Sequence, residues 1–321
     1  MKAAHIVSHR QIEVYEAEDP KVDSLRDGSV VIKTHMTAIC GTDSPRFTMQ
    51  YPDEDYPQKI GLSIHECIGT VTASKSGRFK EGDEVMALPR EIGGLAEYFV
   101  SHDDVTMPLT NFKPKDQILM AQPLGTLVWA CRKLGNIINQ DAVVVGQGPM
   151  GLLMVHLLSN LGARTIVAVD TVDFRLAASK KMHATHTINP NKEDLVQAVS
   201  DITEGRLADL VVEIVGHNQD TVNTCLDLVK RQGTLLCFGI PDDAVYSFEY
   251  GKFFRKNIHM IGSVGPEAQR DFPLGMAMIS QGRMDVSPIL THHFPFTEVQ
   301  QGFELFCDHR DEAIKVVLDY D

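Results

Sequence analysis

The sequence predicts an α/β protein, a doubly wound parallel sheet preceded by a mostly β domain. Three observations carry this. Residues 1 to about 115 hold short alternating runs, such as Ser29 to Ile39, broken by glycine and proline, with no place for a long helix. From about 120 to 262, apolar strands alternate with helical stretches. Between two of those strands lies Gly146-Gln147-Gly148-Pro149-Met150-Gly151, a glycine turn of the kind that cradles a pyrophosphate at a helix N-terminus.

Taken in order, Asp141 to Val145 is a β-branched run typical of a buried parallel strand. The glycine turn follows it. Leu152 to Leu158 is an apolar helical stretch that ends near Gly162, and Thr165 to Val169 is the next strand. That strand closes on Asp170, 19 residues beyond Gly151, where a carboxylate receives the ribose hydroxyls of a dinucleotide. Arg175 stands five residues further on, positioned to cover an adenine or to lie on the helix surface. Ala208 to Val215, Gly233 to Gly239 and Ile258 to Gly262 read as later parallel strands, with a helix over 218–231. After 263 the chain is an α/β tail with a final strand over 313–318. The expected domains are 1–118, 119–262 and a return segment, 263–321.

Composition narrows the function. The chain has 321 residues, 43% hydrophobic and 23% charged, ordinary values for a globular enzyme. A net charge of −13 argues against nucleic acid or an anionic membrane as partner, since both repel an acidic surface. No apolar run reaches membrane-spanning length, and the N-terminus lacks a signal-peptide shape. The six cysteines are scattered without a CxxC pair, as expected of free thiols in a reducing cytoplasm.

Cys40-Gly41-Thr42-Asp43 and His65-Glu66 supply a thiolate, an imidazole and carboxylates within a short stretch. Cysteine and histidine are the preferred ligands of zinc, and a carboxylate can join them. A structural zinc is closed by four protein ligands, whereas so sparse a set suits a metal with an open position. The alternative for Cys40 is a small buried hydrophobe. Asp43 either orients His65 or closes an Asx turn. Cys67 points away from Glu66 on an alternating strand and is expected in the core.

The order and spacing of Cys40 to Asp43, His65-Glu66 with Gly69, Gly82 to Val85, Gly94 to Tyr98, Gln122 to Leu124, Gly146 to Gly151 and Asp170 resemble the medium-chain dehydrogenase/reductase superfamily, in its zinc-dependent alcohol and polyol branch. The resemblance covers the whole chain. It implies a GroES-like N-terminal domain, a Rossmann nucleotide domain, one catalytic zinc per chain, NAD and a small alcohol substrate. It also implies a homodimer or homotetramer in the cytoplasm. By the same resemblance Cys40 and His65 bind zinc, with Glu66 or Gln122 completing the set. Thr42 takes the substrate proton, and Thr126, one turn beyond Gln122, faces the nicotinamide or packs its helix.

This chain departs from the family in four places. Ile64 stands where the family has glycine. Only Met86 to Gly93 lies where many relatives carry a four-cysteine zinc lobe. Gln122 replaces a usual glutamate, and Pro45 a usual relay histidine. The rival readings are a zinc-free quinone or enone reductase of the same superfamily, which would lack the Cys and His-Glu set, and a non-catalytic NAD-binding protein on the same fold.

Overall fold

The computed structural model describes residues 1–21, 25–59, 61, 63–90, 93–109 and 114–320. It divides into two compact units. One comprises 1–125, 267–281 and 290–321, the other 126–266 and 282–289. The segments 263–266 and 282–289 therefore pack with the second unit, so the tail beyond 262 is shared rather than returned whole to the first. Glu91 and Ile92, in the short segment that stands where relatives carry the lobe, lie outside the described residues.

The first unit is built on strands β1 (Lys2–Ser8), β2 (Gln11–Glu16), β3 (Ser29–Ala38), β4 (Glu66–Ser74), β5 (Glu84–Ala87), β6 (Tyr98–His102) and β7 (Thr106–Pro108). Helix α1 (Ser44–Thr48) lies between β3 and β4. Helix α2 (Lys115–Leu119) follows β7, and α3 (Ala121–Arg132) carries the chain into the second unit. The central strands are buried on both faces over much of their length, with Val30, Val31 and Ile32 consecutive in β3 and Cys67 and Ile68 in β4 all out of water. Ile32, Val71, Val85 and Phe99 are buried with Phe47 and Phe303 in a single core.

The second unit alternates strictly. Strands β8 (Asp141–Val145), β9 (Thr165–Val169), β10 (His186–Ile188), β11 (Ala208–Glu213), β12 (Val229–Cys237) and β13 (His259–Gly262) alternate with helices α4 (Pro149–Asn160), α5 (Asp173–Lys181), α6 (Leu195–Ile202), α7 (Asp220–Leu228) and α8 (Tyr250–Lys256). All its pairings are parallel, in the order β10-β9-β8-β11-β12-β13. This is the doubly wound order, with its switch point between β8 and β11. The strand β10 is only three residues long and too polar to stand out by pattern. The helix expected over 218–231 is shorter, because Val229 already enters β12.

The remaining chain supplies α9 (Ala268–Ser280), β14 (Leu290–Pro295), α10 (Val299–Cys307) and β15 (Lys315–Asp319). Among the described residues β14 and β15 join the first unit's large sheet, in the order β14-β15-β3-β4-β5-β7 with β6 also on β3. In register, Val317 lies opposite Ala38, and Ala38 opposite Glu66. No helix among the described residues is long and apolar enough to cross a membrane.

Candidate functional site

Strand β3 ends at Ala38, and the chain turns immediately. Cys40 lies in extended backbone ahead of a short 3-10 turn over Gly41–Asp43. The Asp43 carboxylate closes that turn by accepting from the Cys40 backbone N–H at 2.7 Å. Its other oxygen is 3.9 Å from His65 Nδ1. Asp43 is therefore a turn-closing residue by hydrogen bond and a neighbour of His65 by charge. Its side chain is 3% exposed, so its charge acts with little screening by water.

His65 ends the loop that enters β4, and Glu66 begins the strand. One ligand atom each from Cys40, His65 and Glu66 lie within 4.8 Å of one another. Burial pushes the His65 imidazole down. The hydrogen bond and charge of Cys40, with Asp43 and Glu66, outweigh burial and carry it up to about 9. A site that favours a positive imidazole in this way is one that would accept a metal cation in the proton's place. A soft thiolate, an imidazole and a carboxylate, converging where the central strand β3 ends and its neighbour β4 begins, match the donor chemistry of zinc. Gln122 is buried in the first turn of α3, in the same unit. Thr42 is exposed on its 3-10 turn.

Cys67 is fully buried in the core, and burial pushes its thiol well up. It is not among the converging donors. Gly94 lies beneath it, where a Cβ would come within 2.6 Å of its Sγ. Ile64 is also fully buried and packs in the same core, so the departure from glycine at that position adds apolar contact and removes no donor.

One partner in this cluster escapes a reading of motifs. Lys315 Nζ donates to Glu66 Oε1 at 2.6 Å, and both side chains are at most 1% exposed. Burial pushes the Lys315 ammonium down, but Glu66 and the nearby Cys40 and Asp43 hold it above its ordinary value. Glu66 Oε2 is buried without a hydrogen-bond partner. A buried, unsatisfied carboxylate oxygen beside a thiolate and an imidazole is the atom a metal would satisfy. The signal in the sequence was a single lysine inside the apolar run Ala313 to Leu318. A charge at an inward strand position needs a partner.

The second unit assembles the other motif. Gly146 has φ +104°, a conformation that favours glycine, and a Cβ at Gly151 would fall 1.9 Å from the Gly146 carbonyl oxygen. The turn and the start of α4 can therefore be this close only with glycine at both places. Gly148 precedes α4, where a Cβ would meet nothing within 4 Å, and Pro149 and Met150 open the helix. The cradle is open where a pyrophosphate would sit against the helix N-terminus. Asp170 Oδ2 accepts from the Gln147 N–H at 2.7 Å and Oδ1 from the Val172 N–H at 2.9 Å. The carboxylate thus ties the turn to the end of β9 and keeps lone pairs for a ribose. Arg175 is not on the surface. Its side chain is 17% exposed and lies 3.9 Å from Asp170, and burial pulls its guanidinium down against the pull of that charge. Thr126 is half-buried on α3.

Glu213, at the end of β11 beside the switch point, is a second residue outside the motifs. Its Oε1 accepts from the N–H groups of Val215 and Gly216 and from the Thr221 hydroxyl, each at 3.0 Å. One buried carboxylate so fixes the loop between β11 and α7. An acid ending an apolar strand was its only mark in the sequence.

Comparison with known proteins follows this division. Residues 26–111 match the alcohol dehydrogenase GroES-like domain, and 149–281 match the zinc-binding dehydrogenase family. A zinc-type alcohol dehydrogenase-like protein of Escherichia coli K12, itself uncharacterised, is 30% identical over 91% of this chain and 92% of its own. The L-threonine 3-dehydrogenase of Caldanaerobacter subterraneus is 28% identical over 95% and 94%, and the sorbitol dehydrogenase of Bacillus subtilis 24% over 99% and 97%. Among solved structures, the alcohol dehydrogenase of Thermus sp. ATN1 superposes with a TM-score of 0.89 at 23% identity, covering all of both chains.

Proposed function

Because the chain belongs to the zinc-dependent medium-chain dehydrogenase/reductase family, we propose that it transfers a hydride between NAD and the secondary alcohol of a polyol, sugar or related hydroxy metabolite. The observation that carries this reading is the convergence of Cys40, His65 and Glu66 on one point. A zinc-free reductase of the same family has no use for such a set. The threonine and sorbitol named for two relatives both present a secondary hydroxyl beside another polar group. The loop Tyr51 to Tyr56, with Asp53, Glu54 and Asp55, is acidic and aromatic, which suits a polyhydroxyl ligand better than an anionic one.

Cys40 and His65 would hold the zinc, with Glu66 or Gln122 completing the set. When bound, the zinc supplies Lewis acidity to an alcohol hydroxyl and the nicotinamide supplies the hydride acceptor. The chain's own residues do the rest. Asp43 keeps the Cys40 turn closed and its charge beside His65. Thr42 Oγ1 receives the hydroxyl proton and passes it to water, since Pro45 can carry none. Gly146, Gly148, Pro149, Met150 and Gly151 admit the pyrophosphate to the N-terminus of α4. Asp170 accepts from the ribose, with Arg175 beside it to cover the adenine, and Thr126 faces the nicotinamide. We place the enzyme in the cytoplasm as a homodimer or homotetramer. The exposed Tyr250 and Phe254 of α8 and the edge strand β13 support self-association.

The test is metal analysis with an activity screen. Purified protein should hold one zinc per chain and reduce NAD with secondary polyols or hydroxy amino acids. Cys40→Ser should lose the zinc and the activity while still binding NADH. Gln122→Ala should weaken zinc binding or slow turnover. A parent protein that reduces NAD with no metal bound, or holds two tight zincs, overturns the reading.

A further inference from the structure

The 3-10 turn over Gly41–Asp43 runs directly into α1. The two form one continuous helical run, since Asp43 and Ser44 both have right-handed helical backbone angles and the Ser44 N–H donates to the Gly41 carbonyl. Residues four apart on such a run lie one turn above each other, with Cβ atoms about 5–6 Å apart. The run has two unlike faces. Asp43 and Phe47, four apart, are buried. Thr42 and Arg46, the pair one position earlier, are both exposed. A cation therefore stands one turn from the hydroxyl that, on the reading above, receives the substrate proton.

That cation is uncommitted. The Arg46 guanidinium has no ion pair or hydrogen bond among the described residues. The acid nearest to it in sequence, Asp43, is turned inward, where it holds the Cys40 N–H and faces His65. Asp53, in the loop beyond α1, lines a cavity with His5, His9 and Tyr51 to which neither Thr42 nor Arg46 contributes. The chain as a whole repels anions, with 43 acidic residues against 30 lysines and arginines. A substrate bearing a negative group needs a local cation to be held here.

We infer that Arg46 is a specificity-determining residue, selecting a substrate that carries an anionic group, a carboxylate or a phosphate, a few carbons from the carbinol whose proton passes to Thr42. This rests on the alcohol dehydrogenase reading above. The planar guanidinium fork donates two parallel N–H bonds to two oxygens of either group. Thr42 fixes the other end of the molecule, so two points on one helical face hold the substrate in a single direction. The substrate class then narrows from polyols and sugars at large to hydroxy acids and polyol phosphates.

The experiment compares sorbitol, gluconate and sorbitol 6-phosphate, which share a carbon skeleton, by steady-state kinetics of the zinc-loaded protein with NAD. At least one of the anions should exceed sorbitol in kcat/KM, and which of them does so separates a carboxylate from a phosphate site. Arg46→Gln should lower the ratio of that anion to sorbitol by about ten- to a hundredfold, the loss expected of a charge-assisted hydrogen bond. Arg46→Lys keeps the charge without the fork and should fall between. A parent that prefers sorbitol to both anions overturns the inference. So does a ratio that Arg46→Gln leaves unchanged. If none of the probes turns over, gluconate and sorbitol 6-phosphate are tested as competitive inhibitors of whichever secondary alcohol the activity screen yields. The parent should then bind one of them about tenfold more tightly than Arg46→Gln does, and equal inhibition of the two proteins overturns the inference. A parent that holds no zinc or oxidises no secondary alcohol overturns the functional reading itself, whereas a zinc-loaded dehydrogenase blind to the anion overturns only this one.

Discussion

Asp170 has two tasks, and they make cofactor choice testable. Its oxygens hold the Gln147 and Val172 N–H groups, so the carboxylate is fixed at the end of β9 before any ligand arrives. A fixed anion there favours ribose hydroxyls and repels a 2′-phosphate. The discrimination for NAD over NADP should be about 2–4 kcal/mol, from a charged hydrogen bond lost and like-charge repulsion gained. Asp170→Ser should erode that preference and weaken NAD as well, because the glycine turn loses its tie. Steady-state kinetics with both cofactors measure it. Equal use of NADP by the parent would contradict the assignment.

Strand β8 begins with Asp141, which is 3% exposed and holds Arg164 through both oxygens at 3.1 and 2.5 Å, with Arg206 at 3.4 Å. Burial pushes this carboxyl up, but the hydrogen bonds from Arg164 and Thr165 outweigh it and hold it below the ordinary value. A carboxyl lowered in the folded state stabilises above its unfolded pKa, and that stabilisation is lost as pH falls through the folded one. Asp141→Asn should cost about 1–2 kcal/mol at pH 7, a value discounted for the exposed arginines. The cost should shrink below about pH 4, near the unfolded pKa of aspartate. Urea melts of both proteins at pH 7 and pH 3 check this, and an equal difference at both would exclude the ion pair as its cause.

Across the whole molecule, each unit has its own apolar core, that of the second built on Val143, Val167, Val211 and Leu235. The converging donors lie wholly in the first unit and the glycine turn wholly in the second. Stripping the metal with a chelator should therefore abolish turnover and lower the thermal stability of the first unit, since a ligand bound only by the folded state stabilises it. NADH binding, followed by fluorescence, should persist. Loss of NADH binding together with zinc would mean that the two units are not independent in this respect.

The local chemistry was legible because it is written in contiguous residues. The glycine turn needs a small residue at Gly146 and Gly151 within one stretch, and period and β-branching mark β8 and β9 around it. Cys40 to Asp43 and His65-Glu66 carry their metal chemistry in side-chain type alone. The three-residue β10 was not legible, because so short and polar a strand is defined by its neighbours. The return of residues 282–289 to the second unit could not be read either, since it depends on which core their apolar side chains join. Nor could the pairing of Lys315 with Glu66 or the loop held by Glu213. A lone charge in an apolar strand announces that it needs a partner, but not which. Only the register of β15 beside β3 and of β3 beside β4 brings the lysine to the carboxylate, because hydrogen bonds between strands fix distances that separation along the chain leaves open.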